Sequence, residues 1–270
     1  MDRLFLIFSY SYMIRAFIAG ILVSVIISCL GNVMVHKRLS MIGDSLAHTS
    51  LAGVAIGLIG GINPIVGAVC ACLIGALFIE GIRRKLGSHS ELAIAVVLSL
   101  GIGLAGVLSG FVNSGTDFSS FLFGSIIATT KTDLILIGII AAIVLVVYIT
   151  LFRKIFLISF DEDSAKLLGV KVEVINIVIT ILTALTVSVA SRIVGTLIIS
   201  SLMVVPVAAA ALVSKSYKAQ VITSIAISAG STILGLVLSF LYGLKPGGTI
   251  CLLAVGVFAI CFVISIIRKR

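Results

Sequence analysis

The chain has 270 residues, of which 60% are hydrophobic and only 11% charged, with a mean hydropathy of +1.35. A soluble domain of this size cannot hide so much apolar surface, so lipid must be the solvent for most of it. The formal charge of +9 would suggest nucleic acid in a soluble protein. Here the Lys and Arg residues fall between apolar runs, so they are read as topology signals and lipid contacts, with no nucleic-acid partner.

In chain order, the first ten residues are apolar but lack a long basic region and an A-x-A-like cleavage site, which does not fit a signal peptide. Nine candidate spans follow, at about 15–35, 42–60, 62–82, 91–112, 133–152, 172–192, 194–213, 221–243 and 247–267. The second is short and the sixth and seventh nearly touch, so eight spans plus a re-entrant piece would also fit. A transmembrane barrel would need alternating segments of about ten residues, and these runs are longer and continuously apolar. The expected fold is an all-α polytopic membrane protein of eight to nine transmembrane helices, forming a single domain over residues 1–270.

Basic clusters follow alternate spans: Lys37-Arg38, Arg83 to Lys85, Arg153-Lys154 with Lys166 and Lys171, Lys215 with Lys218, and Arg268 to Arg270. The positive-inside rule then places these ends and the C-terminus in the cytoplasm. The N-terminus lies outside, against the weaker signal of Arg3 and Arg15. Small residues recur four apart at Gly53, Gly57 and Gly61, at Ser99 and Gly103, and at Gly106 and Gly110, spacing that lets helix backbones approach closely. Pro64 and Pro246 begin helices after turns. Pro206 falls inside the run 197–213 and is expected to kink or break it; together with Met203 it is a candidate gating element.

The chain has ten acids and three histidines, few enough to weigh one by one. Asp2, Asp117, Asp133 and Glu173 fall in loops or at span ends. Glu80, Glu91, His36 and His89 flank basic or polar loops. All eight are expected at solvated boundaries. The five cysteines lie inside apolar runs and read as small packing residues. Asp44 and His48 differ. They stand one turn apart in an apolar helix, share a face, and are both ordinary divalent-metal ligands. An acid near mid-helix costs about 2.5–3.5 kcal/mol in lipid, which a metal path would offset. A helix beginning near residue 40 would place Asp44 about 6 Å and His48 about 12 Å along it. The competing explanations are a structural Asp–His hydrogen bond and an Asp that simply reaches water. A two-fold dimer would bring two of each residue around one axis.

Residues 160–170 form a second candidate segment, on the side expected to be cytoplasmic. Asp161 can cap a helix and Gly169 can end it, leaving about two turns between spans. A plain interfacial connector would also fit, but docking by a cytoplasmic partner better explains an exposed acid cluster with sharp boundaries. No G-x-x-x-x-G-K-[ST] loop is present, so the chain does not bind ATP in that way. Catalytic signatures such as H-E-x-x-H or G-x-S-x-G are likewise missing, which argues against an enzyme.

The run Arg38–Gly53 resembles the signature of the zinc/manganese/iron permease subunits of ATP-binding-cassette importers, and Phe160–Val170 resembles that family's coupling segment. Ser120–Ile126, Val194–Ala208 and Pro246–Ile250 match in the same order. The resemblance covers nearly the whole chain and implies a type II ABC-importer-like permease in the plasma membrane. Its implied partners are a second copy of the chain, a cytoplasmic ATP-binding subunit and an extracytoplasmic metal-binding protein. It also implies that Asp44 and His48 line the metal path, and that Asp161, Glu162, Ala165, Leu168 and Gly169 couple to the ATPase. No cofactor is implied beyond the transported divalent metal. Ser125 and Lys245 stand where many family members carry an acid. The alternative is a stand-alone secondary carrier or channel, which would use the same pair without a docking helix.

Overall fold

A computed structural model describes residues 10–86, 90–112, 121–122, 124 and 129–269. Asp2, Arg3, His89, Asp117 and Ser125 therefore lie outside the described residues. Among those described there are ten helices and no strand: α1 (Ser11–His36), α2 (Ile42–Ile59), α3 (Pro64–Leu86), α4 (Ser90–Ser109), α5 (Lys131–Phe160), α6 (Glu162–Leu167), α7 (Val172–Val194), α8 (Thr196–Val213), α9 (Tyr217–Tyr242) and α10 (Pro246–Lys269). Eight are long and apolar enough to cross a membrane; α8 contributes the shorter apolar stretch Ile198–Val213. The doubtful span is thus the seventh candidate rather than the second.

Local chemistry sets the helix ends. Thr130 and Asp133 form a reciprocal capping box at the start of α5, and the Ser216 hydroxyl accepts from the Ala219 N–H at the start of α9. One residue, Gly195, separates α7 from α8. Its φ of +97° with ψ of 148° is a conformation open essentially to glycine alone, which interrupts the helix between Val194 and Thr196. Pro206 does not end α8, which stays helical to Val213. A proline removes a single N–H donor, and α8 is packed against α1, α2, α9 and α10, so tertiary contacts maintain the turn that the sequence alone would interrupt.

The interior is built from α1, α2 and α7, with α8 wedged among them. α5 and α10 are largely exposed. Polar side chains face inward. Ser24 pairs with Thr232 at 2.7 Å, Asn32 donates to the Ser224 hydroxyl at 2.7 Å, and Ser28 lies between, forming a hydrogen-bonded seam that joins α1 to α9. α2 and α3 touch backbone to backbone: a Cβ on Gly53 would collide with the Gly67 carbonyl, and one on Gly67 with the Gly53 carbonyl. The glycines of α4 behave otherwise. Gly103 and Gly106 face outward, and among the described residues no neighbour lies where a Cβ would meet it, so they serve no helix contact there.

Two acids assigned to solvated boundaries are buried instead. Glu80 accepts two hydrogen bonds from Arg83, one turn along α3, and lies 3.6 Å from Arg84. Asp133 pairs with Arg192 at 2.8 Å, which explains the isolated arginine at the far end of α7. Each acid is tolerated inside because a cation meets it. His36 joins an aromatic cluster, with ring centroids 5.2 Å from Phe160 and 5.3 Å from Tyr217. All five cysteines are free; Cys29, Cys72 and Cys261 are buried, while Cys70 is exposed rather than packed.

Candidate metal path and coupling segment

α2 begins at Ile42, so Asp44 sits in its first turn. By helical rise the two residues lie about 3 Å and 9 Å along the helix, shallower than a start near residue 40 would give. The rest of α2 is held tightly. Ser50 bonds to Ser191 of α7 at 2.9 Å, the Cys72 thiol of α3 donates to the Leu46 carbonyl, and Gly43 packs against the Met203 sulfur of α8. Met203 is itself buried, one residue of α2 away from Asp44. Within the first two and a half turns, only Asp44 and His48 stay partly open, at 28% and 17% side-chain exposure.

The His48 Nε2 lies 3.8 Å from the Asp44 Oδ1. That is too long for a hydrogen bond, so the pair is not locked together within the helix. Two ligands about 2.1 Å from one ion can stand up to about 4.2 Å apart, so a single divalent cation can reach both atoms. Among the described residues no third His, Cys, Asp or Glu joins them. The pair offers two donors, whereas zinc takes about four and manganese about six.

The second segment forms as its residues dictate. The Asp161 carboxylate caps α6, accepting from the N–H groups of Asp163 and Ser164 at 3.0 and 3.2 Å. The Ser164 hydroxyl and backbone N–H hold the Asp161 carboxyl below the usual carboxylate range. The helix ends at Gly169, whose φ is +78°, as the Val170 N–H donates back to the Ala165 carbonyl. The five candidate coupling residues then divide. Leu168 is 69% exposed, while Ala165 is fully buried and Glu162 points inward to Lys37 and Arg83.

The sequence matches the ABC 3 transport family over residues 9–266. The chain belongs to that family. This ABC 3 family member is 32% identical to a probable metal transport system membrane protein of Treponema pallidum (strain Nichols), covering 95% of this chain and 96% of the relative. It is 31% identical to the manganese import system permease protein ScaB of Streptococcus gordonii, covering 95% and 92%. It is 30% identical to the high-affinity zinc uptake system membrane protein ZnuB of Haemophilus influenzae (strain ATCC 51907 / DSM 11121 / KW20 / Rd), covering 97% and 99%. Its fold matches PsaBC from Streptococcus pneumoniae in complex with Fab at a TM-score of 0.86 and 28% identity, covering 97% of this chain and 94% of that one. An inward-facing conformation of a putative metal-chelate type ABC transporter shares the fold alone, at 0.74 and 17%, covering 95% and 86%.

Sequence reasoning passed over one residue of the candidate coupling segment. Leu167 is 90% exposed beside Leu168, and Phe160 is also exposed at the other end of α6. The available signal was two adjacent leucines in a short polar connection, where nothing in the membrane requires them. The tertiary structure adds the partners of Glu162, none of which is a neighbour in sequence.

Proposed function

We propose that this chain is the transmembrane permease subunit of an ATP-driven importer for divalent transition metal ions. The observation that carries the reading is the Asp44–His48 pair: one acid and one imidazole, unlocked from each other, on the open strip of an otherwise pinned helix. Membership of the ABC 3 family supports the ATP-driven class, and named relatives of both manganese and zinc systems support a transition-metal cargo. In this reading the metal is substrate and the protein holds no resident cofactor.

The basic end of the bundle, with Lys37, Arg83 and Arg84, faces the cytoplasm together with the C-terminus. α6 seats in a separate ATP-binding subunit, presenting Leu167 and Leu168, and ATP hydrolysis belongs to that subunit. A metal-binding protein delivers the ion on the opposite face. Two copies of the permease place two Asp44 and two His48 side chains around one path, which brings the donor number from two to four. Lipid covers the outward faces of α4, α5 and α10. A stand-alone carrier would leave the exposed leucines of α6 without a purpose.

The test is metal uptake by the assembled importer carrying Asp44→Ala or His48→Ala. Losing a direct ligand should lower uptake by about 100-fold or more, with the ATPase subunit still co-purifying. Wild-type accumulation in both variants would remove the assignment. Growth rescue of metal-depleted cells by manganese or by zinc then identifies the cargo.

A further inference from the structure

Glu162 is the residue of α6 whose charge enters the bundle. Its Oε1 lies 2.7 Å from the Lys37 ammonium and 3.5 Å from the Arg83 guanidinium, and it accepts from the Asn176 amide at 3.2 Å. Lys37 donates in turn to the Asn176 Oδ1. Arg83 reaches back to both oxygens of Glu80, at 3.0 and 3.1 Å. One carboxylate thus joins the end of α1, α3, α6 and the start of α7. The Lys37 side chain is only 6% exposed, against 35% for Glu162.

Lys37 opens the connection to α2, and that connection is stiff. The N–H groups of Arg38 and Leu39 donate back to Val35 and Met34 at 3.1 and 2.8 Å. Ile42 then donates to Leu39 at 3.0 Å and Ser45 to Met41 at 3.1 Å. Arg38 holds a φ of +59°, a conformation that costs an L-residue free energy and persists only where its surroundings enforce it. Asp44 lies seven residues beyond Lys37, within this bonded stretch.

The chemistry makes the link hard to release. If Glu162 left alone, Arg83 would keep Glu80, but Lys37 would remain buried without its anion, an expensive arrangement. Burial, the largest influence on Lys37, already pulls its ammonium below the ordinary amine range against the attraction of Glu162. Glu162 is better hydrated: burial raises its carboxyl, but Lys37 and Arg83 outweigh that and hold it below the ordinary value. A pair bought at such a desolvation cost adds little net stability.

We propose that Glu162 is a transmission residue rather than a contact for the partner subunit: through Lys37 it binds α6 to the α1–α2 connection, so that displacement of α6 reaches the first turn of α2 and Asp44. This rests on the reading of α6 as the segment that seats in the ATP-binding subunit. Leu167 and Leu168 hold that subunit, Glu162 passes on its movement, and Arg83 and Asn176 keep the two charges in register.

The test uses the complete importer in proteoliposomes, with manganese or zinc, whichever supports growth, as the probe. E162Q keeps the size and hydrogen-bonding capacity of the side chain and loses its charge; K37M removes the other partner. Each should move about tenfold fewer metal ions per ATP while the ATP-binding subunit co-purifies as in wild type. In wild type, ATP should alter hydrogen exchange in residues 37–44 together with α6; in E162Q the change should be confined to α6. A wild-type metal-to-ATP ratio in E162Q would overturn the proposal, as would loss of the ATP-binding subunit with a normal ratio in whatever assembles. If neither single variant assembles, K37M/E162Q restores charge balance, and a wild-type ratio there is equally decisive against it. L167A/L168A separates the two readings: loss of the ATP-binding subunit supports α6 docking, whereas unchanged association would overturn the docking assignment itself.

Discussion

Helix α2 has a mean hydropathy of 1.4 with 72% of its residues buried, whereas the most apolar 18-residue stretch of α10 has a mean hydropathy of 3.1 with only 11% buried. The relation is the reverse of that in a soluble protein, because lipid gives an apolar side chain no reason to leave the surface. Most of what α2 buries is small or polar: Gly43, Ala47 and Gly53 allow close packing and Ser50 hydrogen-bonds to Ser191, while Ile42, Leu46, Leu51 and Val54 fill the remaining interior positions. α10 carries large apolar residues such as Leu252, Ile260 and Ile267 outward. The candidate pair, Asp44 and His48, sits on the less hydrophobic of the two helices, the one more enclosed by its neighbours. A ligand pair held that way keeps its geometry, which a lipid-facing helix could not ensure.

The largest expected effect on this contrast comes from Gly53→Val. Its side chain would strike the Gly67 backbone and the Ala71 Cβ, which cannot rotate away. Overpacking should cost about 1–3 kcal/mol or more, seen as a lowered melting temperature in detergent and lost uptake; a wild-type melt would show that α2 and α3 can separate freely. Thr232→Val, in the α1–α9 seam, should cost about 0.6 kcal/mol for the lost bond to Ser24. Chemical denaturation would measure it, and a neutral result would assign the seam to packing alone. Leu252→Ala, at 74% exposure on α10, should stay within about 0.5 kcal/mol. A loss well above that would mean that another protein surface, rather than lipid, covers α10.

Much of this was legible in the chain itself. Apolar run length marked the spans, Asp161 and Gly169 bounded α6, and the i, i+4 spacing put Asp44 and His48 on one face. These are local properties, dictated by residues a few positions apart. Other features were not. Pro206 was expected to kink or break α8, and α8 is not broken there: packed against α1, α2, α7, α9 and α10, it stays helical to Val213. Glu80 and Asp133 looked like boundary acids until Arg83 and Arg192 were found beside them. Glu162 was grouped with the residues of an outward face, although its nearest charge is Lys37, well over a hundred positions earlier.

The sequence by itself determined that the chain lives in lipid, roughly where it crosses, and that Asp44 and His48 share one helix face, because hydropathy and helical period act over short distances. Only the tertiary structure decided which face of each helix is inside, that Asp44 and His48 remain unlocked, and that Glu162 turns inward to Lys37 and Arg83. Burial and charge pairing depend on what distant segments bring to the same place, and no local pattern records that.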